Sequence, residues 1–246
     1  AYTGSATYGN GYPTTTGAYD VTFGGPELFF PVPGDVTLSK YDTTGTSLIY
    51  STYLGGDSVD IPQSMIVDDE GHLFVFGTTG SRNFPTTSNA VDGTFNGGNP
   101  VTPSFVMYYE QGADIFVTKF TVNGSSLLSS TFLGGTGTDG LNMADQLVYN
   151  YADEARGEIN LDLDNNVIIV SSTSSTDFPG TSGSFQSTKA DLQDGVIVKL
   201  NSSLSQILWS SYIGGLGNDA VFGVAIAQDN SLYITGGTSS SDFPVR

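Results

Sequence analysis

The stretch Ile49-Tyr50-Ser51-Thr52-Tyr53-Leu54-Gly55-Gly56 is written three times in this chain. It returns as Leu128-Ser129-Ser130-Thr131-Phe132-Leu133-Gly134-Gly135 and as Leu208-Trp209-Ser210-Ser211-Tyr212-Ile213-Gly214-Gly215. Each copy is rich in β-branched and aromatic residues, which favours a strand. Each ends in two glycines, which allow the chain to turn out of a sheet. An acidic residue follows at one distance every time: Asp60, Asp139 and Asp219. Self-similarity at this period is the first thing to establish, because it decides the architecture.

Working outward, each copy is preceded by a strand that opens on an aspartate and closes on a lysine. These are Asp35–Lys40, Asp114–Lys119 and Asp194–Lys199. Polar turns at 44–46, 123–125 and 201–203 join that strand to the glycine-ended one, as hairpins require. Beyond the acidic residue, Met65/Val67, Ile159/Leu161 and Val224/Ile226 alternate in a third strand. A second tight turn follows at Glu70-Gly71, Asp164-Asn165 and Asp229-Asn230. The fourth strands are 73–79, 167–173 and 232–238, and 1–7 resembles them. An aromatic–proline pair lies five residues past each fourth strand (Tyr12-Pro13, Phe84-Pro85, Phe178-Pro179, Phe243-Pro244), where a ring on a rigid loop would plug a packing gap. Four short antiparallel strands per unit predict an all-β fold of β-propeller blades, in about three repeats with boundaries near 7–79, 80–173 and 174–238. Two complete blades and two partial ones are expected, so the chain should belong to a larger propeller or pair with another chain.

Repeat length is uneven, and the excess falls in two insertions, 86–113 and 140–157. Long loops of this kind are usually functional or disordered. Both are expected on one end of the blades, opposite the short turns.

The 246 residues include 32 Gly, 13 Tyr and 15 Phe, and no cysteine. Disulfides, thiolate metal sites and cysteine nucleophiles are thereby excluded. With 25 acidic and 7 basic residues the net charge is −18. Such a surface repels phosphate backbones, so nucleic acid is not an expected partner. No apolar run is long enough for a membrane-spanning helix. The chain begins Ala1-Tyr2-Thr3 with no signal peptide, which suggests processing or truncation.

Asp60, Asp139 and Asp219 have two readings. As a ring of carboxylates at a channel mouth they would hold Ca²⁺ through oxygen ligands. As turn residues they would accept backbone N–H bonds and link blades, which repetition favours. Asp162 and Asp164 resemble the start of an oxygen-rich Ca²⁺ loop but lack the spacing of an EF-hand. Lys40, Lys119 and Lys199 share one repeat position and are expected to pair with Asp35, Asp114 and Asp194 or with a neighbouring blade. His72 is the sole histidine, so Ser-His-Asp and zinc arrangements are absent and no enzyme is expected. Tyr108, Tyr109, Tyr149 and Tyr151 lie in the insertions, where exposed rings suit contact with protein chains or surface glycans and buried ones would stabilise the loops.

These motifs together resemble the SBBP repeat, a β-propeller-type repeat of large secreted bacterial proteins. The resemblance rests on Asp114–Lys119, Ser51–Gly56, Gly137–Asp139, Asp229-Asn230 and Thr238–Pro244. Departures are local: Ser171 stands in place of Gly77 and Gly236, and Tyr12 in place of Phe. The resemblance implies a propeller, placement outside the cell or on its surface, and an interaction or adhesion role. It implies that the Val/Ile/Leu strand is innermost and the Leu-Gly-Gly strand outermost. A carbohydrate-binding or carbohydrate-active protein, using acidic and aromatic loop residues, is the alternative.

Overall fold

The computed structural model describes residues 1–25, 34–104, 107–150 and 152–245. Its secondary structure is almost entirely antiparallel β. The first sheet joins β1 (Tyr2–Ala6), β2 (Val36–Tyr41) and β3 (Leu48–Leu54) in that order. The second joins β4 (Asp60–Val67) and β5 (Leu73–Thr79) to β8 (Asp114–Phe120) and β9 (Leu127–Leu133), in the order β4-β5-β8-β9. Between its halves the hairpin β6 (Val101–Ser104) and β7 (Met107–Tyr109) stands apart. The third sheet repeats the plan with β10 (Glu158–Leu161), β11 (Val167–Thr173), β12 (Asp194–Leu200) and β13 (Ile207–Ile213). The last contains β14 (Asp219–Ile226) and β15 (Leu232–Thr238). The sheet is thus out of phase with the sequence repeat: an aromatic–proline pair falls in the middle of each four-stranded sheet.

Successive sheets pack face to face, and strand alternation sends each face to a different neighbour. On β5, Leu73 and Val75 join Val36, Leu38 and Leu54 of the first sheet. Phe74 and Phe76, on the other face, join Ile159, Val167 and Ile169 of the third. Ile168 and Val170 turn from there to Val221 and Val224 of the last sheet. A strand buried on both faces must be apolar throughout, which is why β5 and β11 are buried along their whole length. The first strands of the sheets meet: β4 touches β1 and β10, and β10 touches β14. The innermost position implied for 65–67, 159–161 and 224–226 agrees with these contacts.

Phe84 and Phe178 are buried, and each fills the expected gap. Phe84 stacks on Phe116 at 4.5 Å between ring centres, and Phe178 meets Tyr212 edge-on at 6.3 Å. Tyr12 does the same against Tyr53 at 5.9 Å.

Strand pairing fixes the ends of the sheets. Val36 faces Leu54, Asp60 faces Thr79, Thr79 faces Asp114, and Ile115 faces Leu133. The Gly-Gly turns, the acidic residues and both insertions therefore share one end, and the short hairpin turns share the other.

Candidate functional site

At that end the three acidic residues are sealed inside. Asp60, Asp139 and Asp219 are almost wholly buried. Each Oδ2 accepts from the second glycine of the preceding pair, with Gly56, Gly135 and Gly215 N–H all at 2.8 Å. Each also accepts a serine hydroxyl: Ser81 at 2.9 Å, Ser175 at 2.8 Å and Ser240 at 2.6 Å. The same serine oxygens accept Ser58, Gly137 and Gly217 N–H at 2.8 Å. Two positions on, Asn83, Asp177 and Asp242 accept the N–H of Asp57, Thr136 and Leu216. The loop that follows the second strand of each sheet is thus latched to the turn that enters the same sheet from the previous one. Asp60, Asp139 and Asp219 thus stand at three separate sheet junctions with each Oδ2 turned to donors of its own chain, while Oδ1 of Asp60 and of Asp219 is buried without a partner among the described residues.

A second buried carboxylate lies beside each latch. Asp35 accepts Gly24 N–H at 2.7 Å, Asp114 accepts Asn96 and Gly97 N–H at 2.7 and 2.9 Å, and Asp194 accepts Ala190 N–H at 2.9 Å. Each holds down the loop before its own strand. The first glycine of the pair passes between the two acids. A Cβ at Gly55 would lie 2.6 Å from Asp35 Oδ1 and 2.7 Å from Asp60 Oδ2, and Gly134 and Gly214 are as confined. Burial raises the pKa of Asp35 to about 6, of Asp60 and Asp114 to about 7 and of Asp139 to about 8, and it also raises that of Asp194. The neighbouring carboxylate adds to the effect at Asp60 and Asp139.

Asp162 and Asp164 sit in the β10–β11 turn. Asp162 accepts Asp164 and Asn166 N–H at 2.9 and 2.8 Å and pairs with Lys199 Nζ at 2.5 Å. Asp164 is exposed. A cation at Asp162 would have to displace the ammonium already there. Lys119 pairs with Asp68 at 3.1 Å in the same way. The lysine partner is thus the hairpin-turn aspartate of the same sheet, not Asp114 or Asp194. Burial opposes ionisation of Asp68 and Asp162, yet hydrogen bonds from turn residues and lysine hold both below the ordinary carboxylate range. Lys40 donates instead to the Val122 carbonyl at 2.9 Å. His72 Nδ1 lies 3.0 Å from Asp68 Oδ2 and 3.5 Å from Glu70 Oε2, so Asp68, Glu70 and His72 form a cluster of metal-ligand type. Lys119 already occupies its buried member.

The two insertions pack on one another. Val101 and Met107 from the first, and Met143 and Ala155 from the second, surround Tyr109 and Leu141. Tyr109 is completely buried with its hydroxyl 3.0 Å from Thr78 Oγ1, which removes it from any partner surface. Tyr108 and Tyr149 are 48% and 77% exposed. Tyr151 lies outside the described residues. Gln193 carries the second insertion: its amide donates to Asn142 Oδ1 at 2.9 Å and accepts Met143 N–H at 2.6 Å. Gln193 stands where Gly34 and Ala113 stand in the other repeats, and Asn142 lies in an insertion, so the repeat pattern marks neither side chain.

A comparison with curated proteins finds no match. Residues 49–85 match the SBBP beta-propeller repeat. That span runs from β3 through the latch, β4 and β5 to Phe84 and Pro85, and both later repeats place the same donors on the same acids. Over residues 49–85, then, the chain carries one SBBP beta-propeller repeat.

Proposed function

We propose that this chain is a non-catalytic interaction scaffold, working outside the cell or on its surface, which binds protein chains or surface glycans through the insertion-bearing end. The observation that carries this reading is the shared core of the two insertions, which makes them one body seated on Val59 and Ile61 at one end of the sheets. A scaffold that lengthens its loops at one end only builds a recognition surface there. Tyr108 and Tyr149 supply that surface with flat apolar faces and polar tips. The repeated acids support the non-catalytic part, since sealed carboxylates already bonded to their own chain do not meet a substrate.

Deleting the insertions would also remove Tyr109, Leu141 and Leu147 from the core, so point changes make the cleaner test. Tyr108→Ser and Tyr149→Ser should keep the melting temperature and weaken glycan-array or protein-partner binding about tenfold. Polysaccharide turnover abolished by one Asp or Glu substitution would overturn the reading in favour of a carbohydrate-active enzyme.

A further inference from the structure

The outer strands β3, β9 and β13 are each flanked by a loop, and two of these loops grip the next sheet. In the first, Thr15 N–H bonds the Ser51 carbonyl and Ala18 N–H bonds the Thr15 carbonyl. The following donor, Tyr19 N–H, reaches across to the Gly124 carbonyl at 2.9 Å. In the second, Thr87 bonds Ser130, Ala90 bonds Thr87, and Val91 N–H reaches the Leu204 carbonyl at 3.0 Å. Gly124 and Leu204 are equivalent: each is the left-handed residue of a hairpin turn, with φ of 66° and 54°. The gripping residue also packs on the apolar residue that ends the strand before that turn. Tyr19 meets Phe120 at 5.8 Å, and Val91 packs in the cluster of Leu200 and Leu204.

The third loop repeats the geometry and stops short of a partner. Thr181 N–H bonds Ser210 and Ser184 N–H bonds Thr181, which makes Phe185 the equivalent of Tyr19 and Val91. Phe185 is 63% exposed, and its N–H has no acceptor among the described residues. Where the turn would sit there is a cavity of about 520 Å³, lined by Gly183, Phe185, Ile197, Leu208, Trp209 and Leu232. Leu232 opens β15 as Leu73 opens β5 and Val167 opens β11, and both of those line filled sockets.

We propose that this cavity is the socket for the hairpin of a further SBBP-type repeat. Its occupant presents an apolar strand-end residue of the Phe120 or Leu200 kind, followed by a turn whose left-handed residue gives its carbonyl to Phe185 N–H. The two internal junctions are the precedent. The chain's own unseated turn has the required form: Gly45 is left-handed at φ 72° and exposed. A second copy would bring β1 with it, however. Because β1 pairs with β2 as β5 pairs with β8, that strand would compete for the place of β15. A hairpin without a preceding strand fits with nothing displaced.

Trp209 is the only tryptophan and lines the socket, so its fluorescence reads occupancy directly. The probe is a synthetic peptide of residues 114–133, which lacks tryptophan, titrated into the full chain. A saturable blue shift with protection from acrylamide quenching is expected, and Phe185→Asp, at an exposed position, should weaken it about tenfold without lowering the melting temperature. Self-association of the chain that Phe185→Asp abolishes would overturn the proposal in favour of a second copy as occupant. An unchanged Trp209 signal at saturating peptide, equal binding by the Phe185→Asp chain, or a Trp209 response to glycans but not to the peptide would overturn the proposal.

Discussion

Ser175 donates its hydroxyl to Asp139 Oδ2 at 2.8 Å, and the same oxygen accepts Gly137 N–H at 2.8 Å. One hydroxyl therefore closes both sides of a sheet junction. Its removal leaves a buried carboxylate oxygen and a backbone donor each short of a partner, which costs about 1–3 kcal/mol. Ser175→Ala should destabilise by that amount in urea unfolding, and Ser81→Ala by as much. Ser240→Ala, at the more exposed last junction, should cost less. Equal losses at all three positions would remove the argument from burial.

The same junctions make stability fall as pH rises. Asp35, Asp60, Asp114 and Asp139 have folded-state pKa values raised to between about 6 and about 8, against 3.8 for an ordinary aspartate. The folded state holds protons that the unfolded state releases, so their contribution is complete below about pH 3.8 and is lost as pH rises through 6 to 8. Exposed carboxylates have finished titrating by then, so growing surface charge does not explain a loss in that window. The paired acids Asp68 and Asp162 act oppositely and lose stability only in stronger acid. The melting temperature should drop between pH 5 and 8, and Asp139→Asn should shrink the drop. A flat or rising profile contradicts the burial of these charges.

Strand order, hairpin turns and the plugging rings were legible in the sequence because repetition displays them: three copies of one pattern expose positions 3.6 or 2.0 periodicity alone would blur. The buried state of Asp60, Asp139 and Asp219 was half legible. Repetition argued for architecture, but only the structure shows that Ser81, Ser175 and Ser240 supply the matching donors. The insertions were legible as extra length and not as a body. Tyr108 and Tyr109 are adjacent and chemically identical, yet one is exposed and the other completely buried, a difference set by the β6–β7 hairpin and Thr78. Single-copy contacts such as Gln193 to Asn142 leave no trace in a repeat pattern.

Lys199 and Asp162 bear on the oxygen-rich turn. The ammonium at 2.5 Å neutralises the carboxylate without a metal. Millimolar Ca²⁺ or a chelator should therefore shift the melting temperature by less than about 1 °C, since a ligand that does not bind the folded state does not stabilise it. Lys199→Met leaves Asp162 uncompensated and should cost about 1 kcal/mol, a modest figure because the pair is partly open to water. A Ca²⁺-dependent melting temperature in the unmodified chain would restore the cation reading of Asp162 and Asp164.

Gly77 and Ser171 occupy the same repeat position, and the structure explains why only one tolerates a side chain. A Cβ at Gly77 would lie 2.0 Å from the Ile61 carbonyl oxygen and 2.7 Å from the Phe116 ring; at Gly236 it would meet the Ala220 carbonyl at 1.9 Å. Both face a register shift in the innermost strand, at Pro62/Ser64 and at Val221/Gly223. In the third sheet the innermost strand is interrupted. Asp139 bridges to Thr173, and the strand resumes only at Glu158 opposite Val170, with insertion 140–157 between. Gly140 stands where Ile61 and Ala220 stand, but its φ of 85° turns the chain out of the strand and its carbonyl accepts Gln63 Nε2 at 2.7 Å. Gly77→Ser should destabilise by about 2–3 kcal/mol through overpacking against the backbone. Ser171→Gly should change stability by less than about 1 kcal/mol, because the extra backbone freedom is offset by loss of a buried hydroxyl without a partner. Urea unfolding of the two variants measures both, and a Gly77→Ser chain as stable as the Ser171→Gly one would mean that the insertion did not create the room for Ser171.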